Sequence, residues 1–243
     1  MAVVSVDLAY RDYADFGVCV LRRSDRRLEV NFVAFPGGSA SPEPERVADV
    51  CVSLCRQLDA DVLLLDGPQA WKHPLHGTRF ARACEHDLHT PAKTGLPGTV
   101  TPRNYARFVE FAIGVFDALD ERGWPRLQDR DPPHGTRPLA IESFPNAAWR
   151  TLGLKALPAK AKAKSSDIQT GLSQLREMFS LNVQGVCSHD ELQALVSGLA
   201  GIALQVGDTT AYRLAGIPPI HFEGSWREGF ILTPLRPPLS GAV

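Results

Sequence analysis

Three short apolar runs end on an acid. The strand-like VVSVDL closes on Asp7, VLLL (Val62 to Leu65) runs into Asp66, and LAI (Leu139 to Ile141) runs into Glu142. A fourth acid, Asp190, stands at the start of an apolar helical stretch. Carboxylates brought to close range raise one another's pKa unless a cation neutralises them. Mg²⁺ or Mn²⁺, hard ions that prefer oxygen ligands, suit such a set. Two such ions about 4 Å apart can activate water and stabilise the leaving oxygen of a phosphodiester. The chemistry open to these residues is therefore metal-assisted hydrolysis, with no side-chain nucleophile. A single strand-end aspartate can equally cap a turn or a following helix; three acids at strand ends and a fourth at a helix start weigh against that reading.

The elements that must position these acids follow from the pattern of the chain. Val3 to Leu8 reads as a buried strand, Phe16 to Arg22 as a second and Leu28 to Phe35 as a third, and short connections favour an antiparallel meander. Val47, Val50, Cys51, Leu54 and Leu58 recur at helical spacing, and the VLLL strand follows at once. Thr101-Pro102 reads as a helix start, with the helix ending near Gly123. LAI is a further strand. A helix is expected near Ile168 to Phe179. Ser188 and Glu191 form a capping box ahead of Leu192, Leu195, Val196, Leu199 and Ala203, and GFILT is a closing strand. The order β-β-β-α-β-α-β-α predicts a mixed sheet with helices on both faces. In such a sheet ligands gather beyond the carboxyl ends of the strands. One domain over 1–243 is expected, with excursions at about 67–100 and 150–187.

Bulk properties narrow the partners. Of 243 residues 44% are hydrophobic, and 26 basic residues face 27 acidic ones. That balance supplies no global attraction to nucleic acid or anionic membrane. No apolar run approaches the ~20 residues of a membrane span, and the first residues lack a secretory pattern. The five scattered cysteines, without a C-x-x-C, read as reduced thiols of a cytoplasmic protein. There is neither a P-loop nor a G-x-G-x-x-G.

The pieces VDLA (Val6 to Ala9), LLDGP (Leu64 to Pro68), RACE (Arg82 to Glu85), IESFPNAAWRTLG (Ile141 to Gly153), HDELQALVSGLA (His189 to Ala200) and REGFILTP span nearly the whole chain. Together they resemble an uncharacterised family of predicted RNase H-like nucleases, related in fold to RNase H and the Holliday-junction resolvases. The resemblance implies an α/β, RNase H-like fold: a five-stranded mixed sheet with strand 2 antiparallel and helices on both faces. It implies cleavage of nucleic-acid phosphodiesters with Mg²⁺ or Mn²⁺, and leaves DNA and RNA equally open. Asp7, Asp66 and Asp190 would be the ligands, with Glu142 a fourth ligand or a supporting group, and Arg82 would lie near the site. The family pattern D-x-L-D-A departs here to Asp190-Glu191-Leu192-Gln193-Ala194, so one metal site loses a charge. Gln193 keeps an oxygen that could still face substrate.

Several features carry weaker signals. His189 precedes a candidate ligand and could shuttle protons, or simply pack at the helix start. Cys84, His86 and His89 form a loose zinc-like set that matches no strong signature. Lys155, Lys160, Lys162 and Lys164 could track a nucleic-acid backbone or lie in a solvated loop. Two rivals to a nuclease stand: a binding or scaffold protein that kept the fold and lost the chemistry, which Gln193 favours, and an ATP-dependent phosphotransferase, which the absence of glycine from Leu8 to Ala14 disfavours.

Overall fold

Alternate side chains of a strand point to opposite faces of its sheet, and here both faces are covered, which is why the strands read as unbroken apolar runs. Ala2, Val4, Val6, Leu63, Leu65 and Ala140 pack on one side; Val3, Leu64 and Ile141 pack on the other. The computed structural model describes residues 2–24, 27–38, 40–130 and 138–236. Its strands are β1 (Ala2–Asp7), β2 (Gly17–Arg23), β3 (Leu28–Phe32), β4 (Ala60–Asp66), β5 (Lys93–Thr94), β6 (Val100–Thr101), β7 (Leu139–Ser143), β8 (Leu181–Val183), β9 (Tyr212–Phe222) and β10 (Ser225–Pro234). Its helices are α1 (Pro44–Gln57), α2 (Ala83–Leu88), α3 (Ala106–Glu121), α4 (Pro145–Thr151), α5 (Ser165–Phe179) and α6 (His189–Gln205).

The main sheet runs β8-β3-β2-β1-β4-β7-β10-β9. Strand β2 is antiparallel to β1 and β3, while β1, β4 and β7 are parallel neighbours. The central five, β3-β2-β1-β4-β7, have the order and directions of an RNase H-like sheet. Helices α1 and α3 contribute to the core on one face and α4, α5 and α6 to that on the other.

The expected five strands are corrected to eight. Strand β8, only three residues long, lies parallel to β3 and brings the 150–187 excursion back to the sheet edge. On the other edge β10 pairs in parallel with β7 and carries β9 as an antiparallel hairpin partner. Pro218 and Pro219 disguise β9 in the sequence, since proline argues against a central strand. They are tolerated because β9 is the edge and the pair falls where the register shifts around Glu228. The closing strand also extends well beyond GFILT. A second correction concerns α3: Thr101 is paired with Lys93 in the β5–β6 ribbon, so it cannot cap a helix. Arg103–Tyr105 forms a 3₁₀ turn and the α-helix starts at Ala106.

Helix α6 lies tight on the sheet. A Cβ added at Gly201 would sit 2.5 Å from Leu64 Cδ1 and 2.7 Å from Val3 Cγ1. Gly201→Ala should therefore lower stability. Overpacking costs about 1–3 kcal/mol and outweighs the ~1 kcal/mol gain in helix propensity. A lowered urea midpoint at unchanged slope is the expected reading.

Candidate metal centre

The parallel pairing of β1 with β4 puts Asp7 in register with Asp66, so both side chains leave the same face. A carboxyl pair at such range can share a proton, since a protonated carboxyl donates to an ionised one. Burial, then repulsion from Asp66 and Asp190, pushes the Asp7 carboxyl well above its ordinary range. Burial likewise pushes Asp66 up to about 7, against the Asp7 hydrogen bond, with Glu142 adding repulsion. Asp190 comes to the same place from the first turn of α6, where Ser188 caps the helix by accepting from the Glu191 N–H.

Gly17 makes that approach feasible. It pairs with Asp7 across β1 and β2, and a Cβ there would fall 2.2 Å from the Asp190 carbonyl carbon. The start of α6 thus rests directly on the strand beside Asp7. Gly17→Ala should push Asp190 away from Asp7. A displacement of 1 Å can cost about 100-fold in rate, so weaker Mn²⁺ binding and at least a tenfold slower reaction are expected in a protein that still folds.

Asp190 is 7% exposed and already has partners. Lys160 Nζ lies 2.5 Å from its Oδ2 and 2.6 Å from Asp15 Oδ1, and His189 Nδ1 lies 2.9 Å from its Oδ1. Burial would raise the Asp190 pKa, but the bonds to His189 and Lys160 prevail and hold it below the usual carboxylate value. The hydrogen bond to Asp190 raises the pKa of His189, whose Nε2 is 3.0 Å from the Pro158 carbonyl.

Glu142 has a different environment. It is in register with Leu65, one residue short of Asp66, so it leaves the opposite face from the aspartate pair. Arg82 grips it in a fork: Nη1 to Oε2 and Nη2 to Oε1, each 2.7 Å, and the Gln69 N–H donates to Oε2 at 2.9 Å. Arg82 also donates to Glu85 Oε1 from Nε and Nη2, and Glu85 accepts from the Thr94 N–H. Arg82 and Glu142 are 1% and 3% exposed, so this cluster pins the 67–100 excursion over the strand ends. Gln193 turns into the core, where its Oε1 accepts from Trp149 Nε1 at 2.7 Å. The structure thus pairs Asp7 with Asp66 and brings Asp190, with His189 bound to it, within electrostatic reach of Asp7, and it gives Arg82, Glu142 and Gln193 internal partners.

Among the described residues no group of three or more His, Cys, Asp or Glu side chains is arranged to hold a metal ion. That includes the Cys84, His86 and His89 set: Cys84 is fully buried, and the two imidazoles are 6.5 Å apart. All five cysteines are free thiols. The donor chemistry of the Asp7–Asp66 pair nevertheless fits a divalent cation. It offers only carboxylate oxygens, and their mutual repulsion is what a bound cation relieves. The residues that sequence reasoning missed are Lys160, read as one of several loop lysines, Asp15, and Gly17. Their roles arise from contacts across 145 and 30 residues of chain for Lys160 and across the β2–α6 packing for Gly17, which no local spacing announces.

The order and directions of the central strands are those of an RNase H-like α/β fold. The solved structures similar to the chain include two of RuvC. The Thermus thermophilus RuvC structure shares 12% identity at a TM-score of 0.41, covering 90% of this chain and 99% of that one. T. thermophilus RuvC in complex with Holliday junction substrate shares 11% identity at a TM-score of 0.39, covering 85% and 96%. No family model and no curated protein matches the chain. Among the described residues no helix is long and apolar enough to cross a membrane.

Proposed function

We propose that this protein is a metal-dependent nuclease that hydrolyses nucleic-acid phosphodiesters with Mg²⁺ or Mn²⁺. The observation that carries the reading is the Asp7–Asp66 carboxylate pair, brought together by strand register; among the described residues neither acid makes an ion pair, and the attraction of Lys160 offsets only part of the repulsion at Asp7. Asp7 and Asp66 would hold the ion, with Asp190 completing the set. A bound ion would lower the pKa of water and polarise the phosphate. Lys160 and His189 hold Asp190 ionised, and His189 stands where it can take or give a proton. Glu142 is a positioning residue: through the Gln69 N–H it fixes the turn that follows Asp66, and through Arg82 it fixes the overlying segment. The described residues read as one RNase H-like domain, with the 150–187 excursion adding β8 to the main sheet and the 67–100 excursion forming the separate β5–β6 ribbon.

Two observations favour a second reading, a nucleic-acid-binding protein without cleavage. The Lys160 ammonium already neutralises Asp190, and Gln193 belongs to the core. Calorimetric titration with Mn²⁺, followed by incubation with single-stranded and duplex DNA and RNA, separates the two. Metal binding with metal-dependent cleavage supports the nuclease; nucleic-acid binding without either supports the second reading.

A further inference from the structure

A cavity of about 220 Å³ opens beside the carboxylate pair, with Asp66 in its lining, and no step described above uses it. Its walls include the rings of Tyr105, Phe108 and Phe144, and its floor is the Arg82–Glu85–Glu142 cluster. Ser143, which also lines it, is 1% exposed and its hydroxyl has no hydrogen-bond partner. A buried polar group left unpaired costs about 1–3 kcal/mol, so an orphan hydroxyl at a cavity points to a ligand that pairs with it. Ser143 is in register with Asp66, so anything bound there adjoins the candidate metal centre.

The chemistry of the lining selects the ligand. Arg82 spends four of its five N–H donors on Glu142 and Glu85, so the one cation among the lining residues is already paired with two carboxylates. Aromatic walls favour a flat, neutral ring. The volume lies below the ~300–1,000 Å³ of pockets for drug-sized molecules, which suits one ring system and excludes a base pair. Exposed Asn146 at the margin adds an amide that can donate and accept. We infer that this cavity takes a single unpaired nucleobase of the substrate strand, stacked against the aromatic rings and hydrogen-bonded through its edge to Ser143. The inference rests on the nucleic-acid reading above and adds to it that the substrate must present an unstacked base next to the bond that is cut.

The test uses the metal-free full chain and a short single-stranded oligonucleotide, made in DNA and in RNA. An abasic site or 2-aminopurine is moved through each position. One position should stand out: an abasic site there should weaken binding about tenfold, in line with the loss of one stacked base, and 2-aminopurine emission should change there on binding. Ala92→Phe, which fills the cavity, should erase that position dependence while overall binding persists. Ser143→Ala, which removes the orphan hydroxyl without disturbing packing, should weaken binding severalfold at unchanged or raised thermal stability. Binding that is equal at every position, or unaffected by Ala92→Phe, overturns the cavity's role and leaves the nuclease reading standing. Absence of any oligonucleotide binding removes both.

Discussion

Replacing Arg82 with leucine should destabilise the protein by about 3–5 kcal/mol, the usual cost of removing one partner from a buried ion pair. Against a total stability of about 5–15 kcal/mol, that is enough to leave a large fraction unfolded on mild heating. The guanidinium holds both oxygens of Glu142 and one of Glu85 with four hydrogen bonds between 2.7 and 3.1 Å. Its loss strands two carboxylates in a site that water barely reaches. Arg82→Lys should recover only part of the loss, because an ammonium cannot reproduce the planar fork. The effect should depend on pH. Burial already pushes the Glu142 pKa up, with Arg82 pulling it down. Without Arg82 it rises further in the folded state, so the penalty is absent at low pH and grows as pH climbs through the new value. Urea denaturation of wild type and variant at about pH 5 and pH 8 checks this. An equal loss at both would show that packing, not charge, dominates at Arg82.

Asp7→Asn should abolish Mn²⁺ binding and lower nuclease activity by at least about 100-fold, since metal catalysis supplies several kcal/mol and each 1.4 kcal/mol is a factor of ten. The same substitution should stabilise the metal-free protein. In the wild type, burial and repulsion raise the folded-state pKa of Asp7 and bring Asp66 to about 7, above the unfolded value of about 3.9. The folded state then binds more protons than the unfolded one between those limits, so stability falls as pH rises from about 4 through 7. Asparagine removes one charge of the pair and should flatten that slope. Saturating Mn²⁺ should raise the wild-type melting temperature and leave the variant's unchanged, by linkage to native-state binding. Melting curves across this pH range, with and without Mn²⁺, give the readout. A wild type that ignores Mn²⁺ would end the metal proposal.

The sequence by itself determined the strands that carry Asp7, Asp66 and Glu142, because burial on both faces demands unbroken apolar runs and such runs are legible locally. It also determined the start of helix α6, with Asp190 in its first turn, through the Ser188–Glu191 capping box. The edge strands were hidden: β8 is short, and β9 contains two prolines that only an edge position accommodates. Which acids meet was decided by tertiary structure. Register places Asp7 beside Asp66, and the same period of two turns Glu142 to the other face, where Arg82 from a distant excursion takes it. Gly17 admits the start of α6, and Lys160 closes on Asp190 from a loop that composition alone describes as solvated. Local pattern reports what each segment must bury, whereas the company a carboxylate keeps depends on contacts between segments far apart in the chain.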